Sequence, residues 1–190
     1  MSGDVRMPNQ RNPKGRANGY TLVEILIVVV ILGIAASLII PSMGSAQVLR
    51  IQASMRATVA DITFAQSDAL AYQERRAIFF DIPNNHYAVI RVTGAVLDPV
   101  NDILHDTTRH SGLMEVDFDE PRFGGARLIS ADFDGDSTLI FDELGGPVQS
   151  LTGDVPGLGG TIRIEGANGT AWEITVEPYT GRISVQNVTP

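Results

Sequence analysis

Cysteine is absent from the 190 residues. That excludes disulfides, thiol catalysis and cysteine-type zinc sites, and it leaves the redox compartment undetermined. Cations are scarce beyond the N-terminus. The first nineteen residues hold Arg6, Arg11, Lys14 and Arg16 against Asp4, which leaves 10 basic and 21 acidic residues, a net charge of −11, for the rest. A body so acidic repels the phosphates of nucleic acids and anionic lipid heads, which disfavours nucleic acid as a partner. Internal repeats are missing. None of the three histidines, His86, His105 and His110, has a companion at metal-ligand spacing. No catalytic constellation is legible, so the chain reads as non-enzymatic.

What is present is a long apolar run. Ile25 to Ile40 carries no charge, and with Tyr20 to Glu24 in front the run is 21 residues long. At about 1.5 Å per residue a helix of this length crosses the roughly 30 Å hydrocarbon layer of a membrane. The basic residues before it fit the positive-inside rule, so residues 1–19 are expected to stay cytoplasmic and the remainder to face outward. A secretory signal would place its small-residue cleavage site after the run, near Ser45 and Ala46. Glu24 argues against that simpler reading. A carboxylate at such a depth costs on the order of a few kcal/mol unless it is paired, and marks a functional position.

The residues around it are Gly19-Tyr20-Thr21-Leu22-Val23-Glu24. This segment resembles the prepilin cleavage signature of type IV pilins and type II secretion pseudopilins, with Tyr20 where Phe is usual. The resemblance implies cleavage after Gly19 by a prepilin peptidase, N-methylation of Tyr20, and assembly with other pilin or pseudopilin subunits. It also implies a single-pass inner-membrane anchor, with the C-terminal body in the periplasm before incorporation into a pilus or pseudopilus. Physically, Gly19 lets the scissile peptide enter a tight site in extended form. The Tyr20 amine created by cleavage would have Glu24 as counter-ion, in the same chain or a neighbour, and such a pair would fix subunit register.

The chain divides on this reading into a cleaved basic leader at 1–19, a transmembrane and assembly helix at 20–44, an amphipathic continuation at 45–76, and a β-rich body at 77–190. Pro41 is expected to kink the helix rather than end it. Beyond it Val48, Ile51, Met55, Val59, Ile62, Ala65, Ala69 and Tyr72 recur at helical spacing, with Arg50, Gln52, Arg56, Asp61, Gln66 and Asp68 on the opposite side. One helix is therefore expected from about Thr21 to about Glu74. Eight short runs follow, beginning with a hairpin over Pro83-Asn84-Asn85. They are Ala77–Ile82, Tyr87–Thr93, Leu113–Phe118, Ala126–Ala131, Ser137–Phe141, Thr161–Glu165, Trp172–Glu177 and Arg182–Val185. The fold class expected is α+β, a long N-terminal helix packed on an antiparallel sheet body of about eight strands.

Leu139-Ile140-Phe141 before Gly145-Gly146-Pro147, and a last strand opened by Thr180-Gly181-Arg182-Ile183, make the body similar to minor subunits of the GspH/FimT type. Some FimT-like subunits carry a basic C-terminal tail for DNA; here no Lys or Arg follows Arg182. One further site is legible. Asp132, Asp134, Asp136 and Glu143 occupy positions 1, 3, 5 and 12 of a calcium-loop pattern. Ser137 stands where that loop needs its glycine, and strands flank it, so a polar Asp-Gly hairpin turn is the competing reading. Calcium is the one cofactor the sequence suggests. The functional alternative to a filament subunit is a single-span, membrane-tethered calcium- or ligand-binding module that does not polymerise.

Overall fold

A computed structural model describes residues 19–167 and 169–188, and the side chains of residues 37–47 lie outside that description, as does the leader before Gly19. The chain forms two compact units, Met1–Pro41 and Ser42–Pro190. A single helix, α1, runs Leu22–Tyr72. It passes through Pro41 without ending there.

The second half of α1 packs on the body through Ile51, Ser54, Thr58, Asp61, Ile62, Ala65 and Ala69, all buried. Ile51, Ile62, Ala65 and Ala69 belong to the expected stripe. Val48 and Tyr72, at its two ends, are exposed instead. The buried face is turned toward Ser54 and Thr58. Their hydroxyls donate back to the carbonyls of Ile51 at 2.8 Å and Ser54 at 3.0 Å, so small polar side chains lie against the sheets with their hydrogen bonds made.

Among the described residues nine strands follow: β1 Arg76–Asp81, β2 His86–Arg91, β3 Glu115–Asp117, β4 Arg127–Phe133, β5 Thr138–Phe141, β6 Pro147–Val148, β7 Gly160–Glu165, β8 Ala171–Val176 and β9 Ile183–Asn187. Every pairing is antiparallel. They build two sheets, one ordered β3-β2-β1-β5-β6 and one ordered β4-β7-β8-β9. The eight expected strands are all there. The ninth, β6, is two residues long and lies between the expected runs Ser137–Phe141 and Thr161–Glu165.

The main core lies where α1 and both sheets meet. Ile51, Ile62 and Ala65 of the helix, Phe80 and Tyr87 of the first sheet, and Ile162, Ile164 and Ile174 of the second belong to it. Phe80 stacks on Phe133 of the second sheet at 5.8 Å between ring centroids and tilts against Tyr87 at 5.6 Å. The far face of the first sheet is covered as well. Ala77 and Ile140 pack under Val92, Leu97 and Leu151, while Ala88 and Ile90 pack under Ile103 and Leu113. This is why β1 and β2 read as continuous apolar runs rather than alternating ones.

Candidate assembly site

Gly19, Tyr20 and Thr21 precede the helix and are exposed. Helix α1 begins at Leu22 because Thr21 caps it. The Thr21 hydroxyl accepts the Glu24 backbone N–H at 3.2 Å, and the Thr21 carbonyl accepts the first helical bond from Ile25 at 3.2 Å. Thr21 and Glu24 have the spacing of a capping box, and an acidic residue in the first turn suits the positive end of the helix dipole. Thr-x-x-Glu is the sequence signal for this cap, beside the pairing role that the depth of Glu24 suggests. Around Gly19 there is open space on the side a Cβ would occupy.

From Leu22 to Ile34 every large apolar side chain is about half exposed or more, on all sides of the helix. Covering such a side chain contributes roughly 1 kcal/mol or more, so about ten of them together contribute on the order of 10 kcal/mol. That is comparable to the stability of a whole domain. A helix apolar all round is one that lipid or other helices cover. Among the described residues no helix is long and apolar enough to cross a membrane. The apolar run of the sequence continues into residues 37–40, whose side chains lie outside that description.

The four carboxylates of the acidic loop make backbone hydrogen bonds and an ion pair. Asp134, at a left-handed φ of 56°, accepts the Leu158 N–H at 3.1 and 3.2 Å. Asp132 accepts the Gly135 N–H at 3.0 Å, and Asp136 accepts the N–H of its neighbour Ser137 at 2.6 Å. Glu143 pairs with Arg75 at 3.1 Å. The same guanidinium pairs with Asp154 and donates to the carbonyls of Leu151 and Gly153. Asp134 thus clamps one end of the 149–159 loop and Arg75 the other. Among the described residues no three carboxylate or imidazole side chains gather where they could hold a metal ion. His105 and His110 are exposed, and His86 faces Glu115 across the β2–β3 pair at 3.4 Å.

A charged cluster lies where the helical pattern places a solvent-facing carboxylate. Asp61 does not face solvent with the polar side of α1; it is 4% exposed. Tyr87 donates its hydroxyl to Asp61 at 2.8 Å, and Arg109 forms an ion pair with the same carboxylate. Arg109 also pairs with Asp106 at 3.0 Å and donates to the Glu115 carbonyl at 3.0 Å. Burial pushes the Tyr87 phenol well above its usual range, and the Asp61 charge adds to the shift. Burial works to lower the Arg109 pKa, but the hydrogen bond and charge of Asp61 outweigh it. The cluster fastens the 92–112 loop to helix and sheet. The available signal was Tyr87, whose hydroxyl sits in an otherwise apolar strand and needs a buried acceptor.

The prokaryotic N-terminal methylation motif matches residues 14–40. No curated protein is similar enough to the chain to count as a relative. Among solved structures, the fold is similar to that of the minor pseudopilin EpsH from the type 2 secretion system of Vibrio cholerae. The TM-score is 0.50 at 11% identity, over 73% of this chain and 97% of that one.

Proposed function

We infer that this chain, pilin-like in its N-terminal motif and in its fold, is a minor filament subunit of the GspH/FimT type. It would serve a type II secretion pseudopilus or a type IV pilus. The observation that carries the reading is the order of parts: a methylation-type motif, then a helix exposed and apolar on every side, then a body built on the same helix.

The mechanism follows from those parts. The apolar half of α1 stores the subunit in the inner membrane. A prepilin peptidase removes the leader after Gly19, and the new Tyr20 amine is N-methylated. That amine carries positive charge beside the positive end of α1, where it is unfavourable alone. Glu24, one turn on, offsets it within the chain or across to a neighbour and sets the stacking register.

Glu24→Leu tests the assembly step. The Thr21 cap uses the backbone N–H of Glu24, which the substitution keeps, so leader removal is expected to stay largely intact, slowed at most severalfold by loss of the Glu24 carboxylate from the first turn. Recovery of the subunit in sheared filaments is expected to fall at least tenfold. Wild-type recovery would contradict the register role. A chain that keeps its leader in the membrane and never enters a filament would support the tethered-module alternative.

A further inference from the structure

The start of α1 is set two residues beyond the bond that processing would break. Leu22 is the first helical residue, and Gly19, Tyr20 and Thr21 lie outside the helix. The sequence offers a second cap three residues earlier. Asn18 is at least as good an N-capping type as threonine. If Asn18 capped the helix, Gly19 and Tyr20 would become its first two residues, and their peptide bond would lie inside the first turn.

Two features hold the start at Thr21 instead. Glu24 stands three residues after Thr21, the spacing of a capping box, whereas the residue three after Asn18 is Thr21 itself. Gly19 at a first helical position opposes extension, because glycine loses more backbone freedom than any other residue. The hydroxyl that decides between the two starts is the one accepting the Glu24 N–H at 3.2 Å.

We propose that Thr21 is a positioning residue for leader cleavage: by capping α1 it keeps the Gly19–Tyr20 peptide out of the helix, in the extended form a peptidase can bind. The inference rests on the processing reading above. In the hydrolysis water adds across the C–N bond between Gly19 and Tyr20. It leaves a carboxylate on Gly19 and the amine on Tyr20. Thr21 touches neither atom of that bond; it sets the backbone on which the bond sits.

The test uses the full-length chain in detergent with a prepilin peptidase, following leader removal by intact mass. Thr21→Val keeps the branched shape and loses the acceptor. It is expected to slow cleavage about two- to fivefold, fivefold being the limit set by losing one cap. Thr21→Ser and Thr21→Asn retain a cap and should be cut at close to the wild-type rate. Asn18→Ala alone should change nothing. Combined with Thr21→Val it should restore much of the lost rate, because the competing upstream start is gone. Carbon chemical shifts at Gly19 and Tyr20 should move toward helical values in Thr21→Val and return in the double variant.

Equal rates for Thr21→Val and wild type would overturn the inference. So would Ser and Asn variants as slow as Val, or a double variant as slow as Thr21→Val, since the peptidase would then be reading the threonine side chain directly. A wild-type chain that is not cut after Gly19 sinks the processing reading and this inference with it. A wild-type chain cut there beside an equally fast Val variant sinks the inference alone.

Discussion

The side-chain amide of Gln66 donates to the Gly145 carbonyl at 2.7 Å and to the Thr180 carbonyl at 2.9 Å. Gly145 follows β5 in the first sheet, and Thr180 stands between β8 and β9 in the second. One helix side chain therefore joins both sheets. Gly181 has a left-handed φ of +62°, and a Cβ there would stand 2.6 Å from the Gln66 amide nitrogen and 3.0 Å from the Phe141 ring. Gly145, at φ +75°, would bring a Cβ within 3.3 Å of the Gln66 side chain. The two short body patterns by which the sequence resembles GspH/FimT subunits meet at this residue.

Gln66→Ala removes both hydrogen bonds and should destabilise the body by about 2 kcal/mol, at roughly 1 kcal/mol per bond. Gly181→Ala should cost about 1–3 kcal/mol through backbone strain and the close approach to Gln66. The double variant should fall short of the sum, because removing the Gln66 amide relieves part of the clash. Denaturant unfolding of the three variants measures this coupling. Strict additivity would mean that the two residues do not share one contact.

The buried cluster at Asp61 predicts a mutational effect and a pH effect. Asp61→Asn strips Arg109 of its most buried partner and should cost about 3 kcal/mol, somewhat reduced because Asp106 remains. Tyr87 has its folded pKa raised above the unfolded value near 10, so the stability it confers is complete below about pH 10 and is lost as pH rises beyond it. Unfolding free energy measured from pH 8 to 11 should therefore decline, and Tyr87→Phe should flatten the decline at about 1 kcal/mol of baseline stability. A decline unchanged by Tyr87→Phe would place its origin elsewhere. At the acid end Asp98 and Asp106 act oppositely. Hydrogen bonds from Asn101 and Thr108 hold these half-buried carboxylates low, so their contribution is lost as pH falls below about 4.

Local pattern carried much of this fold. The apolar spacing from Ile51 to Ala69 and the Asn, Gly and Pro punctuation between strands are short-range signals, and the elements they mark are present. The division into two sheets was not legible, because it depends on which strands meet across long connections. Nor was β6, whose two residues include a proline and pair only through β5 and a bridge from Val148 to Pro156. Asp61 was misplaced because a carboxylate on a helix reads as solvent-facing until its partners are known, and Arg109 lies 48 residues away. The calcium spacing is ambiguous for a related reason. Asp, Gly and Ser at a tight turn serve backbone hydrogen bonding as readily as metal binding, and here Asp132 and Asp134 cap backbone N–H groups.

Calcium provides a direct check on that loop. With Glu143 engaged by Arg75 and Asp134 by Leu158, millimolar calcium should leave the melting temperature of the chain unchanged. Asp134→Ala should lower it with or without the ion, because the 149–159 loop loses an anchor. A rise of several degrees with calcium that Asp134→Ala abolishes would show that the loop rearranges around the ion.

The most direct measurement is the mass and N-terminal sequence of the chain recovered from its native membrane. The account predicts a mature protein that begins at Tyr20 and carries one N-methyl group. A chain that retains residues 1–19, or one that begins near Gln47 after signal-type cleavage, would contradict it.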